Sequence, residues 1–304
     1  MAIILQESLR AAFYAPFYAA LARGAYRDAG VEVRFASAPS PAQAATSLLA
    51  GAADVCWGGP MRVMATYQTD PGCDLVCFAE VVTRDPFLLI GRTPNPVFRM
   101  ADLLAARLGS VSEVPTPWLC LQEDLRRDGI APERIDRVAD RSMAENCAAL
   151  RAGTVDVVQV FEPFASTLLD EGAGHLWYAA ASRGLTSYTC FYARRAVLRE
   201  KRDEILRMVR AIHATQRWLA GASGAEIAAT VAEYFPDVPA RTLAAAYDRY
   251  KALGIWGRDP VLPRAGYERL RESLVSGGFV APGAPFEQAV DNSLATAVLA
   301  ELEN

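Results

Sequence analysis

The hydrophobic and polar positions at the start of the chain lay out a strand, a loop, a helix and a second strand. Ile3-Ile4-Leu5 is a short apolar run that reads as a strand, and a stretch mixing polar and aromatic side chains follows: Glu7, Ser8, Arg10, Phe13 and Tyr14. Pro16 suits the first turn of a helix, where its missing N–H costs nothing and its φ is preset. Phe17, Ala20, Leu21 and Gly24 recur at helical spacing and Gly30 supplies the stop. Val31-Glu32-Val33-Arg34-Phe35 then alternates as a second strand. A βαβ unit of this kind puts ligands at the carboxyl ends of its strands. Phe13 and Tyr14 are therefore candidate walls of a small-molecule site.

The same rhythm continues. After Pro39-Ser40-Pro41, Ala42 to Leu49 reads as a short helix ended by Gly51, and Ala53 to Trp57 as a third strand. Gly58-Gly59-Pro60 forms a strand-to-helix turn that lets backbone approach a ligand and frees N–H groups at a helix start. A helix from Met61 to Gln68 and a fourth strand from Asp74 to Val82 follow. Thr83-Arg84-Asp85-Pro86 then leads into Phe87 to Ile90, a change of direction that marks a crossing between domains. A second α/β series begins there, with strands at Arg107 to Val111, Ile135 to Ala139 and Val155 to Phe161. Helices open at Ser112 to Trp118, at the capping box Ser142/Glu145, and at Glu162-Pro163-Phe164. Two apolar runs, Leu176 to Ala180 and Thr189 to Ala193, flank a return crossing at Ser182 to Tyr188. From Arg195 onwards the pattern is helical, broken by proline and glycine at 221–224, 236–239, 254–263 and 277–278.

Composition adds exclusions. A length of 304 residues fits one large or two medium α/β domains. With 52% hydrophobic and 22% charged residues this is an ordinary globular protein, and a net charge of −4 gives no basic footprint for nucleic acid. No apolar run approaches the roughly 20 residues that span a bilayer. The first residues show neither a basic nor a long apolar segment of the signal-peptide kind. The expectation is a cytoplasmic protein as the sequence stands, or a periplasmic one if a leader has been removed. Six cysteines lack CxxC spacing, which points to buried reduced thiols and not to zinc or disulfides. No cofactor and no metal are expected.

Several short motifs resemble one family. Ala15-Pro16-Phe17-Tyr18 is followed by Gly24-Ala25-Tyr26 and Gly30-Val31-Glu32-Val33. Further on come Leu49-Ala50-Gly51 with Asp54-Val55, and Leu150-Arg151-Ala152-Gly153 with Val155-Asp156-Val157. In order and spacing the chain resembles the type 2 periplasmic-binding-protein fold. It is similar to the superfamily holding alkanesulfonate-, nitrate- and thiamine-pyrimidine-precursor-binding proteins and the related pyrimidine synthase. The resemblance implies two α/β lobes joined by two crossing segments, with C-terminal helices packed on lobe one. Lobe one would comprise residues 1–84 plus 190–304 and lobe two residues 85–189, with the ligand cleft between them.

In that frame the candidate ligand-binding residues are Phe13, Tyr14, Trp57, Gly58, Gly59, Glu80, Arg84, Glu113, Thr116, Trp118, Glu162, Arg183 and Tyr188. Trp57, Trp118 and Tyr188 would stack on a planar ring, with core packing as the competing reading for any single aromatic. Glu80, Asp85, Glu113 and Glu162 would accept hydrogen bonds from amino groups, unless they are solvated loop acids. Arg84 and Arg183 would clamp a carboxylate, sulfonate or phosphate, or else close an inter-lobe salt bridge. Ser110, Ser112 and Thr116 stand near a helix start suited to an anion.

Chemistry is argued mainly by absence. Lys201 and Lys251 are the only lysines, both in the C-terminal helical region, so no Schiff-base lysine is well placed. His175 and His213 lie apart, and no Ser-His-Asp set or phosphate loop appears. The cysteine-rich motif and early histidine of the pyrimidine synthase are missing. The expected function is binding of a pyrimidine-like heteroaromatic or a small anionic metabolite, as the substrate-binding component of an ABC importer with its permease as partner, or as a related cytoplasmic binder. The alternative is a cytoplasmic enzyme on the same fold, pyrimidine synthase-like or menaquinone-pathway dehydratase-like, using cleft carboxylates as acid and base.

Overall fold

The computed structural model describes residues 2–38 and 40–301, so Pro39, in the predicted break after the second strand, lies outside the described residues. In chain order the strands are β1 (Ile3–Glu7), β2 (Val33–Ser37), β3 (Val55–Gly58), β4 (Leu75–Val82), β5 (Leu88–Gly91), β6 (Leu108–Gly109), β7 (Arg137–Val138), β8 (Val157–Val160), β9 (His175–Ala179) and β10 (Thr189–Arg194). They form two sheets of the same plan, β2-β1-β3-β10-β4 and β7-β6-β8-β5-β9. In each sheet the first three strands run parallel, and the fourth is antiparallel to both neighbours. That inserted strand is in each case the one entered from a crossing. Residues 83–87 lead from β4 into β5, and residues 180–188 lead from β9 into β10.

Burial explains why these segments were readable. Every residue of β3, β4, β5 and β8 is buried, which is why they appear as near-continuous apolar runs. β2, at a sheet edge, keeps an alternating half-exposed pattern. Two predicted strands shrink to β6 and β7. Asn146 Nδ2 takes the carbonyl of Ser110 at 2.9 Å, which diverts that backbone group from the ladder just past Gly109. The single helix expected between Pro16 and Gly30 is broken. Gly24 adopts a left-handed φ of 70° and separates Ala15–Ala22 from Ala25–Asp28.

The C-terminal helices cover the first lobe. Arg202–Gly221 packs on Ala15–Ala22, Ala25–Asp28 and Ser293–Ala300. Two of them also reach the second lobe. On Ala240–Leu253, Thr242 Oγ1 donates to Asp170 Oδ2 at 3.1 Å; Arg264–Ser276 packs along Thr116–Arg127, where Arg127 and Glu272 pair at 2.9 Å. No helix among the described residues is long and apolar enough to cross a membrane. All six cysteines are free and buried.

Candidate functional site

The carboxyl ends of the parallel strands of both sheets converge. Ser8, Leu9, Phe13 and Tyr14 follow β1; Gly59, Met61 and Arg62 follow β3. Val114 and Thr116 come from beyond β6, Phe161 from the end of β8, and Phe87 and Tyr188 from the two crossings. Together they enclose a chamber of about 40 Å³. Aromatic edges close it. The Phe13 ring lies 5.3 Å from Phe161 and 6.1 Å from Tyr188, and Phe87 lies 5.3 Å from Phe161, all edge-on.

Glu7 fixes the loop that carries Phe13 and Tyr14. This buried carboxylate at the end of β1 accepts bonds from Tyr18 OH (2.7 Å), Ser37 Oγ (2.6 Å) and Arg10 Nη2 (2.6 Å). Burial pushes its pKa up, but the bonds from Arg10, Ser37 and Tyr18 outweigh it and hold the group below its ordinary value. The loop is thus tied to β2 and to the helix Ala15–Ala22 through one charge.

Among the described residues Arg62 is the only cationic side chain on the chamber wall. It is the second residue of the helix Met61–Thr69, whose sequence contains no acid, and among the described residues no carboxylate pairs with it. Tyr188 also lines the chamber, and its hydroxyl, buried from solvent, has no partner among the described residues. Burial pushes the Tyr14 phenol up to about 12, with the nearby Ser8 and Thr189 hydroxyls pulling the other way, and burial also raises Tyr188 well above the ordinary value. Both stay neutral around pH 7, able to donate. Thr116 adds a hydroxyl at the start of Thr116–Arg127. An unpaired cation and neutral O–H groups in an apolar enclosure are an arrangement suited to an anion.

Of the residues expected from sequence, Phe13, Tyr14, Gly59, Thr116 and Tyr188 line the chamber. Gly58 lies just behind it. A β-carbon there would sit 3.2 Å from the Tyr192 ring and 3.3 Å from Ser8 Oγ, so glycine makes room for Ser8 in the wall. A β-carbon at Gly59 would sit 3.2 Å from the Tyr188 carbonyl oxygen.

The others stand elsewhere. The Trp57 ring is fully buried between Phe17 (4.7 Å) and Phe35 (5.4 Å), both stacked on it, so it serves the first-lobe core and not a ligand. Trp118 packs in the second-lobe core beneath the Arg137 guanidinium, 4.3 Å from its ring. Glu162 is bound on every side: its Oε1 pairs with Arg249, its Oε2 accepts from Ser166 N at 2.8 Å, and its backbone N–H donates to Tyr250 OH at 2.8 Å. Arg183 holds Asp85 (2.6 Å) and Asp124 (Nε to Oδ1, 2.9 Å), which leaves neither the arginine nor Asp85 for a ligand. Glu80 is buried beside Ser187 and Thr83, away from the chamber wall. Arg84 runs past Gly254, also off the wall. Glu113 is exposed, with Oε1 accepting from Met143 N at 2.9 Å, on a neighbouring groove. Ser110 accepts from Arg137 Nε at 2.7 Å and is structural.

Arg62 was missed, as were Leu9, Met61 and Phe87. A signal for Arg62 exists: a cation two positions after Gly58-Gly59-Pro60, in a helix with no acid three or four positions away to pair with it.

Two sheets of one plan, joined by two crossings over a chamber at their strand ends, define the two-lobed type 2 periplasmic-binding-protein fold. The chain matches the family described as NMT1/THI5 like over residues 12–221, more than half its length, and belongs to that family. It is 26% identical over 300 residues to YtlA of Bacillus subtilis (strain 168), whose name describes a binding protein, covering 97% of this chain and 89% of YtlA. Among solved structures it is similar to the alkanesulfonate-binding protein SsuA from Xanthomonas axonopodis pv. citri bound to MOPS, with TM-score 0.72, 18% identity and coverage of 96% and 98% of the two chains. It is also similar to the periplasmic nitrate-binding protein NrtA from Synechocystis PCC 6803, with TM-score 0.74, 15% identity and coverage of 99% and 89%. At these identities the likeness is one of fold.

Proposed function

We propose that this protein is a solute-binding protein whose chamber seats the anionic group of a small organic metabolite, which it hands to an ABC permease. The observation that carries the reading is Arg62, a half-buried guanidinium on an apolar wall with no acid to pair with among the described residues. A cation in such a place is costly unless an anion completes it. The fold shared with proteins named for alkanesulfonate and nitrate binding supports an anion over a neutral heterocycle. In this reading the lobes divide near residues 84 and 189, and the crossings flex as the ligand enters.

The acid–base alternative loses its groups. Glu162 is tied to Arg249 and Ser166, Glu80 lies off the wall, and Glu113 opens onto the neighbouring groove. The test is native mass spectrometry of the purified protein, followed by identification of what co-purifies. A carboxylate, sulfonate or related anion is the expected ligand; a neutral compound released in stoichiometric amount would overturn the reading.

A further inference from the structure

Two rings that meet across the chamber are gripped from behind by one piece of chain. Phe13 belongs to the first lobe and Phe161 to the second, and their centroids lie 5.3 Å apart. Phe161 is a thin wall. It lines the chamber on one side and a groove of about 690 Å³ on the other, so part of its surface has no protein behind it. Its backbone is held instead. The next residue, Glu162, donates its N–H to Tyr250 OH at 2.8 Å and pairs through its carboxylate with Arg249, which also donates to Ser166 Oγ at 2.8 Å. Further along the same segment, Trp256 Nε1 donates to the Phe13 carbonyl oxygen at 2.9 Å. Between the two, Gly254 turns the chain through a left-handed φ of 62°. Residues 255–257 then run back along the end of β4, where Thr83 N donates to the Ile255 carbonyl oxygen at 2.8 Å and Gly257 N to the Val81 carbonyl oxygen at 2.9 Å. The Tyr250 and Trp256 rings meet edge-on with centroids 6.0 Å apart. Backbone pairing and ring contact make the segment stiff.

Resting on the anion reading above for its ligand, we propose that Tyr250 and Trp256 are positioning residues, the two ends of one strut that sets the gap between Phe13 and Phe161 and with it how closely the chamber fits an anion. Neither residue lines the chamber; each acts through the wall it bonds. Tyr250 holds the second-lobe wall and Trp256 the first-lobe wall, so the segment between them spans the lobes just behind the site. A strut has a signature that two separate packing contacts lack. Loosening either end frees the gap, so the second loss adds little once the first has occurred.

Two measurements on the full chain test this. In the first, 4-fluorophenylalanine replaces Phe13 or Phe161, one at a time, and fluorine spectra are taken without ligand. Tyr250→Phe removes the hydroxyl that holds the second-lobe wall and should shift the resonance at position 13. Trp256→Phe removes the N–H that holds the first-lobe wall and should shift the resonance at position 161. Both variants keep a ring in place, which spares the surrounding packing. In the second measurement, calorimetry with ethanesulfonate should show each substitution weakening binding about fivefold, and the two together still about fivefold, against the roughly twenty-five-fold of independent sites. Resonances across the chamber that stay in place, affinities left unchanged, or losses that multiply would overturn the strut while leaving the anion reading in place. Ethanesulfonate that binds none of these proteins would count against the anion reading, and the fluorine spectra, which need no ligand, would then decide the strut alone.

Discussion

Arg62 and Arg183 stand at two regions of the same interface and do opposite things. Arg183 comes from the second crossing and is almost wholly buried, held by Asp85 of the first crossing and by Asp124 of the helix Thr116–Arg127, which also accepts from Tyr178 OH at 3.1 Å. Every strong donor it has is matched, so it locks the two crossings to the second lobe. Arg62 is half-buried at a helix start, faces rings and hydroxyls, and has no acid pairing with it among the described residues. By residue type the two are alike, and from the sequence Arg183 looked the better anion clamp. The contrast teaches that a cation free to meet a ligand is marked by the partner it lacks.

Four changes would break or sharpen that contrast. The largest effect belongs to Arg183→Met, which leaves the fully buried Asp85 without its counter-charge. Denaturant titration should show a loss of about 3–5 kcal/mol, with anion affinity of the folded protein within about twofold of wild type. Unchanged stability would mean the clamp is ornamental. Arg62→Ala should do the reverse, leaving the denaturation midpoint in place while calorimetry shows a loss of about thirtyfold, the worth of roughly 2 kcal/mol for a hydrogen bond to a charged group.

A buried acid gives the third test. Burial pushes Glu80 up to about 8, with the neighbouring Ser187 and Thr83 hydroxyls opposing. Its folded value lies above its unfolded one, so the folded state keeps a proton that the unfolded chain has lost. Stability should therefore fall as pH rises from the ordinary carboxylate range to about 8, by up to about 1.4 kcal/mol per pH unit. Glu80→Gln should flatten that slope in denaturation curves taken across the window, and an unaltered slope would assign it to another group. The smallest effect is expected from Tyr188→Phe. It removes a hydroxyl buried at the chamber wall, so affinity should drop by no more than about fivefold, near 1 kcal/mol, with no loss of stability because that hydroxyl has no partner among the described residues to forfeit. A stability loss equal to the affinity loss would show that the hydroxyl serves the fold.

The order of elements was legible because β3, β4, β5 and β8 are buried on both faces and so are written as apolar runs. Element ends were less so, since a side chain distant in sequence decides them, as Asn146 does for β6. The same distinction governs the site. Phe13, Tyr14 and Gly59 follow strands directly, and local pattern was enough to bring them forward. Trp57 belongs to a strand with no free face, so its ring went to the core. Glu162 was ruled out by Arg249, 87 residues away, and Arg183 by Asp124, 59 residues away. Pairing of that range leaves no local mark, and neither does its absence at Arg62.

The central claim is that charge, and not shape alone, selects what enters the chamber. The most direct measurement is calorimetric titration of the wild-type protein with an n-alkanesulfonate and with the methyl sulfone of the same chain length, a neutral molecule of nearly the same outline. The account predicts that the sulfonate binds at least thirtyfold more tightly. Equal affinity for the two would contradict it.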